Sequence, residues 1–380
     1  MRVGPSATEA QPRIWRPGDD PGDRTFVTLF DDTPLELDLG GAFGPIVVAF
    51  ETWGTLSPAA DNAVLILHAL SGDSHVVGPA GPGHPTPGWW ETVVGPGKPI
   101  DTDRWFVVAS NVLGGCQGTT GPSSLAHDGR PWGSRFPAVT LRDQVAVEAA
   151  LADHLGVDRF AGVVGASMGG MRALEWAVSR PDRVARVIPV ACGAASSADQ
   201  IALSAMQIRA ISSDPEFHGG DYYDGPGPLR GLALARFIGH YSYRSEAELQ
   251  ARFGRQAQDG EAPLAGGRYA VESYLDHQGD KLVRRFDANT YLLFSRAMDH
   301  HDVGRDRGGA AAALAGVTAA ATVVAVDSDR LYPPYQQQEL ASLLPGRPEV
   351  KVVTSLFGHD GFLIETEQVG KIIAEALEQP

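Results

Sequence analysis

The stretch that most constrains the fold is residues 160–177, where an apolar run meets Gly165-Ala166-Ser167-Met168-Gly169 and a helical pattern follows at once. A strand, a tight Gly-x-Ser-x-Gly turn and a helix in this order are typical of a nucleophile elbow. The two glycines are expected to be required because strand and helix backbones approach closely there, which leaves no room for a Cβ atom. The sequence therefore predicts that Ser167 Oγ is exposed above a sheet edge, in front of a helix N-terminus. An ordinary glycine-rich turn with an incidental serine is the alternative.

The apolar runs around the elbow predict an α/β protein with a mostly parallel sheet and helices on both faces. Strands are expected at 25–30, 46–52, 63–67, 105–109, 160–164, 184–191, 322–326 and 350–354, and helices at 141–154, after Ser167 and at 366–377. Between residues 193 and 300 the pattern changes to helices broken by Gly/Pro loops, expected at 199–213, 229–243, 246–253, 269–276 and 287–299.

This change of pattern predicts that the chain forms two structural parts, a core and an insertion. Residues 25–192 and 301–380 are expected to form the core, and residues 193–300, the helical insertion, are expected to cover the carboxyl edge of the sheet as a lid. Residues 1–24 are polar and rich in Pro and Gly, which indicates a disordered lead-in.

Composition excludes several classes of protein. With a net charge of −15, the chain has no basic stripe that could neutralise the phosphates of a nucleic acid. Its two cysteines, Cys116 and Cys192, have the spacing of neither a disulfide framework nor a metal site. The N-terminus lacks the apolar region of a signal peptide, and no segment is apolar enough to span a bilayer. We therefore expect a cytoplasmic protein without a membrane partner.

A catalytic elbow of this type needs an acid after a late strand and a histidine after the last strand. The turn after the run at 322–326 carries Asp327 and Asp329, and the residues alone do not choose between them. His359 is the only histidine beyond this turn. A histidine there would take the proton of Ser167 as the serine attacks an acyl carbonyl, and the aspartate would orient the imidazole.

The same geometry predicts where an oxyanion would bind. In such elbows, one donor is the backbone N–H of the residue after the nucleophile, which is Met168 here. The second donor comes from the loop that follows the strand at 63–67, and we expect it to be the N–H of Leu70.

Several long motifs in order, beyond the pentapeptide, are similar to those of one family: HALSGDSHV, SNVLGGCQGTTGPSS, GASMGGMRALEW, LALARFIGH, FDANTY, SDRLYPP and FGHDGFLIE. In these motifs the chain resembles the homoserine O-acetyltransferases of methionine biosynthesis, which have the α/β-hydrolase fold. The resemblance implies a triad of Ser167, Asp329 and His359, with Arg236 and Asp360 as substrate-binding residues. It also implies acetyl-CoA as a cosubstrate, no permanently bound cofactor or metal, and a homodimer formed through the helices of the insertion.

The resemblance implies a ping-pong reaction: Ser167 takes an acetyl group from acetyl-CoA, and the hydroxyl of L-homoserine then removes it. Arg236 would hold the carboxylate of homoserine and Asp360 its ammonium group. Related alternatives are succinyl-CoA as donor and serine as acceptor. A plain esterase and a ligand-binding relative without activity are the more distant alternatives.

Overall fold

In the computed structural model, which describes residues 14–379, a mixed sheet forms the centre of the protein. Its strands within that range are β1 (Thr25–Leu29), β2 (Ile46–Trp53), β3 (Ala63–Leu67), β4 (Phe106–Ser110), β5 (Gly162–Ala166), β6 (Arg186–Val190), β7 (Ala320–Ala321), β8 (Val324–Val326) and β9 (Lys351–Val353). The order is β1-β2-β4-β3-β5-β6-β8-β9, with β7 beside β6. β2 runs antiparallel to β1 and β4, and the other pairs are parallel. The predicted mostly parallel sheet is confirmed.

Two apolar cores cover the two faces of this sheet, because successive side chains of a strand point to opposite sides. In β3, Leu65 and Leu67 belong to one core, whereas Val64 and Ile66 belong to the other. All residues of β3 and β5 are buried, as expected for central strands with helices on both sides.

Helices fill both faces and also form most of the helical insertion. Along residues 14–379 they are α1 (Leu141–His154), α2 (Met168–Ser179), α3 (Ala198–Ser212), α4 (Leu229–Tyr243), α5 (Glu246–Phe253), α6 (Ala270–Val283), α7 (Ala288–Asp299), α8 (Ala310–Ala315), α9 (Pro334–Leu343), α10 (Gly361–Ile364) and α11 (Thr366–Leu377). α1 and α2 contribute to the first core, and α11 contributes to the second. Within the helical insertion, α4 packs against α3 and α6, and α3 also packs against α7.

The predicted disordered lead-in, residues 1–24, stays a prediction, and residues 1–13 lie outside the described residues. Most side chains of residues 14–24 are exposed, but a few contact the rest of the protein. Ile14 is buried, and the ring of Trp15 stacks on Phe26 with 4.9 Å between ring centroids. Arg24 is also buried and donates to the carbonyl of Gly83, so apolar contacts and a hydrogen bond together connect this segment to the rest of the protein.

Candidate active site

Ser167 lies in the turn between β5 and α2, with the backbone conformation of a sharp elbow. Its φ of 55° and ψ of −122° are strained for a residue that has a side chain. A Cβ atom on Gly165 would collide with the carbonyl of Gly169, and one on Gly169 would collide with the carbonyl of Leu67. The close approach that the two glycines predict is therefore present, and it holds the serine at the end of β5.

Asp329 and His359 form a buried hydrogen-bonded pair. Asp329 follows β8, and its Oδ1 accepts hydrogen bonds from the backbone N–H groups of Leu331 at 2.8 Å and Tyr332 at 2.9 Å. The imidazole of His359 donates from Nδ1 to the other oxygen, Oδ2, at 2.6 Å. Both residues are less than 5% exposed, so little water competes for these bonds. The carboxylate is thus held from one side by the backbone and presents its free oxygen to the imidazole.

Asp327, the alternative acid, lies elsewhere. Its side chain is exposed, and its Oδ1 accepts a hydrogen bond from the backbone N–H of Ser355 at 3.0 Å. Among residues 14–379, the carboxylate that contacts His359 Nδ1 is that of Asp329. Asp327 instead joins the ends of the two neighbouring strands β8 and β9.

The environment of His359 favours its protonated form. Burial lowers the pKa of the imidazole, but the charge and hydrogen bond of Asp329, together with the charge of Asp360, outweigh it. The net result is a pKa above the ordinary value of 6.5. An imidazole with this bias can take up a proton and hold it while a reaction proceeds.

Ser167 and His359 line one cavity, whose empty space amounts to about 780 Å³ including its solvent-filled mouth. Core loops and the helical insertion both contribute to its wall; examples are Leu70, Tyr332, Gln207 and Ser295. No hydrogen bond joins Ser167 to His359 within the described part of the chain. In structures without substrate, such contacts are often long and tighten only when substrate binds.

Arg236 projects from α4 into the wall of the same cavity. Its guanidinium carbon lies 5.1 Å from the centre of the Tyr243 ring, and no carboxylate of residues 14–379 forms an ion pair with it. The nearby Arg244, in contrast, pairs with Glu248 at 3.0 Å and with Asp360 at 3.3 Å. The wall therefore offers a cation that is available to an anionic ligand.

Asp360 also lines the cavity, next to His359 in the chain. Burial raises the pKa of its carboxyl group, and the nearby charges of Arg236, His359 and Arg244 offset this only in part. Because Arg244 already pairs with it, Asp360 is less available to a ligand than Arg236 is. Its predicted role as a substrate-binding residue stays a prediction.

The two predicted oxyanion donors lie near the elbow. Met168 is the first residue of α2, so its N–H has no acceptor within the helix. Leu70 lines the cavity together with Ser167, and its N–H donates to no acceptor in the described chain. Leu70 lies in a turn in which the N–H of Gly72 donates to the carbonyl of Ala69 at 2.9 Å.

A buried ion pair, which the sequence analysis missed, connects this turn to α2. Arg172 is fully buried; it pairs with Glu148 of α1 and donates to the carbonyl of His68 at 2.6 Å. The indole of Trp176 donates to the same glutamate at 2.8 Å. The available signal was an arginine within the mostly apolar helix that follows Ser167, but its partners are distant in sequence.

One group among the described residues has the composition of a metal site: Asp23, Glu51, His75 and His84, whose candidate ligand atoms lie within 4.8 Å of one another. The two imidazoles, however, stack at 3.6 Å with only 13° between their planes. A metal binds in the plane of an imidazole, so one ion cannot lie in two parallel, separated planes. Both oxygens of Glu51 already accept hydrogen bonds, from Ser74 and from His75. The group is therefore a hydrogen-bonded network that connects the loop of Ser74 and His75 to Glu51 of β2.

None of the helices within residues 14–379 is both long and apolar enough to cross a membrane.

Comparisons with known proteins agree with this fold. A family model described as the alpha/beta hydrolase fold matches residues 62–366. The homoserine O-acetyltransferase of Thermobifida fusca (strain YX) is 60% identical over 367 residues, which cover 96% of each chain. The crystal structure of a homoserine O-acetyltransferase from Bacillus anthracis has a TM-score of 0.85 at 26% identity, covering 94% of this chain and 97% of its own. That of esterase E22 has a TM-score of 0.84 at 29% identity, covering 93% and 99%. This chain belongs to the homoserine O-acetyltransferase family, with the α/β-hydrolase fold.

Proposed function

We propose that the protein transfers the acetyl group of acetyl-CoA to the hydroxyl of L-homoserine, through an acetyl-Ser167 intermediate. The observation that carries the proposal is the buried Asp329–His359 pair, whose imidazole lines the same cavity as Ser167. Arg236, which has no ion-pair partner in the described part of the chain, lies in the wall of that cavity. The name and the 60% identity of the Thermobifida fusca relative support the choice of substrates.

In the first half-reaction, His359 takes the proton of Ser167 as its oxygen attacks the thioester carbonyl. Asp329 keeps the proton of the imidazole on Nδ1, so that Nε2 is the nitrogen that accepts. The bias of His359 towards the protonated form stabilises the imidazolium until the proton passes to the leaving thiolate of coenzyme A. The products are acetyl-Ser167 and free coenzyme A.

The oxyanion of each tetrahedral intermediate is proposed to bind the N–H groups of Met168 and Leu70. Neither N–H has an acceptor among residues 14–379, so both can donate to a negative oxygen without breaking an existing bond. Removal of one such donor typically costs about 3 kcal/mol of transition-state stabilisation.

In the second half-reaction, Arg236 is proposed to bind the carboxylate of homoserine and Asp360 its ammonium group. Guanidinium matches a carboxylate in geometry as well as in charge. The hydroxyl oxygen of the bound amino acid attacks the acyl carbonyl as His359 removes its proton. The bond between the acyl carbon and Ser167 Oγ then breaks, and His359 returns the proton to Ser167, which leaves O-acetyl-L-homoserine and free enzyme. Placement by these charges gives the acceptor an advantage over water.

Residues 193–300 would act as the lid that limits the access of water, on a core formed by residues 25–192 and 301–380. No permanently bound cofactor or metal takes part in the proposed steps. The protein would act in the cytoplasm as a homodimer formed through the helices of the insertion, without a nucleic acid or membrane partner.

Intact-protein mass spectrometry tests the covalent intermediate. Incubation with acetyl-CoA should add the mass of one acetyl group, and later addition of L-homoserine should remove it. Ser167→Ala should never gain this mass, and labelling that persists in this variant would refute the nucleophile. Arg236→Ala should still form the acetyl-enzyme but lose it slowly when homoserine is added.

Other donors and acceptors are decided by the same experiment. Succinyl-CoA should acylate poorly, and serine should remove the acetyl group more slowly than homoserine does. The similarity to esterase E22 supports a second candidate, hydrolysis of an ester. It predicts loss of the acetyl group at a rate that homoserine does not change.

A further inference from the structure

Two neutral polar side chains of the helical insertion, Ser295 and Gln207, line the cavity, and the proposed reaction steps give neither of them a role. Ser295 on α7 lines the cavity, is 1% exposed, and its hydroxyl makes no hydrogen bond within the described part of the chain. A buried hydroxyl without a partner is unfavourable and uncommon in folded proteins. This hydroxyl is therefore a group that a ligand in the cavity can satisfy.

Gln207 on α3 is the second group. It lines the same cavity and is 6% exposed. Its Oε1 accepts a hydrogen bond from the hydroxyl of the fully buried Tyr291 at 2.8 Å. This bond orients the amide and leaves the Nε2 donors without an acceptor among residues 14–379. Like Ser295, Gln207 therefore offers donors on a rigid support.

The charge of these groups indicates what they bind. The charged ends of an amino acid have charged partners in Arg236 and Asp360, whereas a hydroxyl and a carboxamide match neutral acceptors. Half-buried apolar side chains, Leu203 and Met298, line the cavity beside them on the same two helices. A wall with neutral donors and apolar patches fits a chain in which amide groups alternate with short alkyl segments.

We propose that Ser295 and Gln207 bind the amide carbonyls of the pantetheine arm of the acyl-CoA donor, and so guide its thioester to Ser167. This inference rests on the proposed function, because that function supplies a donor with such an arm. It adds donor-binding groups on α3 and α7, the donor subsite, to the cavity that Arg236 and Asp360 also line.

The test is a series of acetyl donors with decreasing amide content: acetyl-CoA, N,S-diacetylcysteamine, which keeps one amide, and p-nitrophenyl acetate, which has none. Ser295→Ala should raise the KM for acetyl-CoA by about 5- to 10-fold, the effect of one lost neutral hydrogen bond. It should leave the KM for homoserine and the rate with p-nitrophenyl acetate unchanged. Gln207→Met, which removes the N–H donors without adding a charge to the cavity that holds Arg236, should also raise the KM for acetyl-CoA and leave the rate with p-nitrophenyl acetate unchanged.

Ser179→Ala is the matched control, because its hydroxyl donates to the carbonyl of Glu175 within α2 and does not line the cavity. An equal loss with all three donors would overturn the subsite, and so would an effect on homoserine alone or no effect at all. Calorimetric binding of coenzyme A to the wild type and to Ser295→Ala provides a readout that needs no turnover. The wild type could bind coenzyme A more tightly than Ser295→Ala does and yet transfer no acetyl group to homoserine. That result would contradict the proposed function but support the subsite.

Discussion

Replacement of Asp329 by asparagine should invert the proton arrangement of the catalytic imidazole. In the structure, Asp329 Oδ1 accepts two backbone N–H bonds, from Leu331 and Tyr332, and Oδ2 accepts the N–H of His359. Asparagine has one carbonyl oxygen and one NH2 group. If the NH2 group pointed at the backbone, it would face the N–H donors of Leu331 and Tyr332 without forming a hydrogen bond. The carbonyl oxygen therefore stays on the backbone side, and the NH2 group points at the imidazole of His359.

The magnitude follows from this inversion. An imidazole that accepts a hydrogen bond at Nδ1 carries its proton on Nε2, so it cannot take the proton of Ser167. The same substitution in serine proteases leaves the geometry intact and lowers kcat by about 10⁴-fold. At about 1.4 kcal/mol for each factor of ten, the loss here is about 5 kcal/mol of activation free energy.

The measurement is the rate of acetyl-enzyme formation, followed by rapid quenching and mass spectrometry. Asp327→Asn is the matched control: it makes the same chemical change two residues away, on an exposed side chain that bonds to Ser355 N. It should keep a rate close to that of the wild type. Equal losses in the two variants would refute the reasoning, as would Asp329→Asn with more than about a tenth of the normal rate.

Three further predictions concern the pH dependence and the stability of the site. The protonated imidazole cannot act as a base, so the rate with p-nitrophenyl acetate should rise with pH through the pKa of His359. Because that pKa is raised, the midpoint of the rate profile should lie above pH 6.5, and a lower midpoint would contradict the role of the Asp329 carboxylate. Gly169→Ala places a Cβ atom against a backbone carbonyl of β3 and should lower the free energy of unfolding, measured by urea titration, by about 1–3 kcal/mol. Gly81→Ala is the control: its Cβ atom would meet no atom within 4 Å, so this free energy should change little. Arg172→Met leaves the carboxylate of Glu148 buried without its ion pair and should cost about 3–5 kcal/mol in urea denaturation; an unchanged midpoint would show that the pair does not stabilise the fold.

The parts of the fold with a strong local pattern could be predicted from the sequence. The bounds expected for α1, α11 and β3 agree with the structure residue for residue, because periodicity and length are local properties. α9 was missed, since it begins at Pro334 directly after another proline and its first turn carries no apolar pattern. The packing of Ile14 was missed because composition averaged over a segment hides a single anchoring side chain.

The site shows the same limit. The order of Ser167, an acid and a histidine along the chain could be predicted, since the fold brings the carboxyl ends of its strands to one edge. The choice between Asp327 and Asp329 could not be made from the residues alone, because both occupy one turn and differ only in the direction of the side chain. The ion pair of Arg172 with Glu148 was equally hidden, because it depends on how α1 and α2 pack.

The machinery at the elbow is not what distinguishes a transferase from an esterase on this fold. Hydrolysis and transfer both need a serine, a base and an oxyanion site, and this frame is shared with an esterase as well as with a homoserine O-acetyltransferase. The difference must come from the nucleophile that attacks the acyl carbonyl in the second half-reaction, which is water in an esterase and an acceptor hydroxyl in a transferase. In this chain Arg236, the proposed partner of an amino-acid carboxylate, lies on α4, far in sequence from the elbow. The same helix contacts the segment that carries His359, and the Tyr243 ring lies 5.9 Å from the imidazole. Selection for an acceptor can therefore act on the helical insertion next to the catalytic base, at a distance in sequence from the strained turn at Ser167.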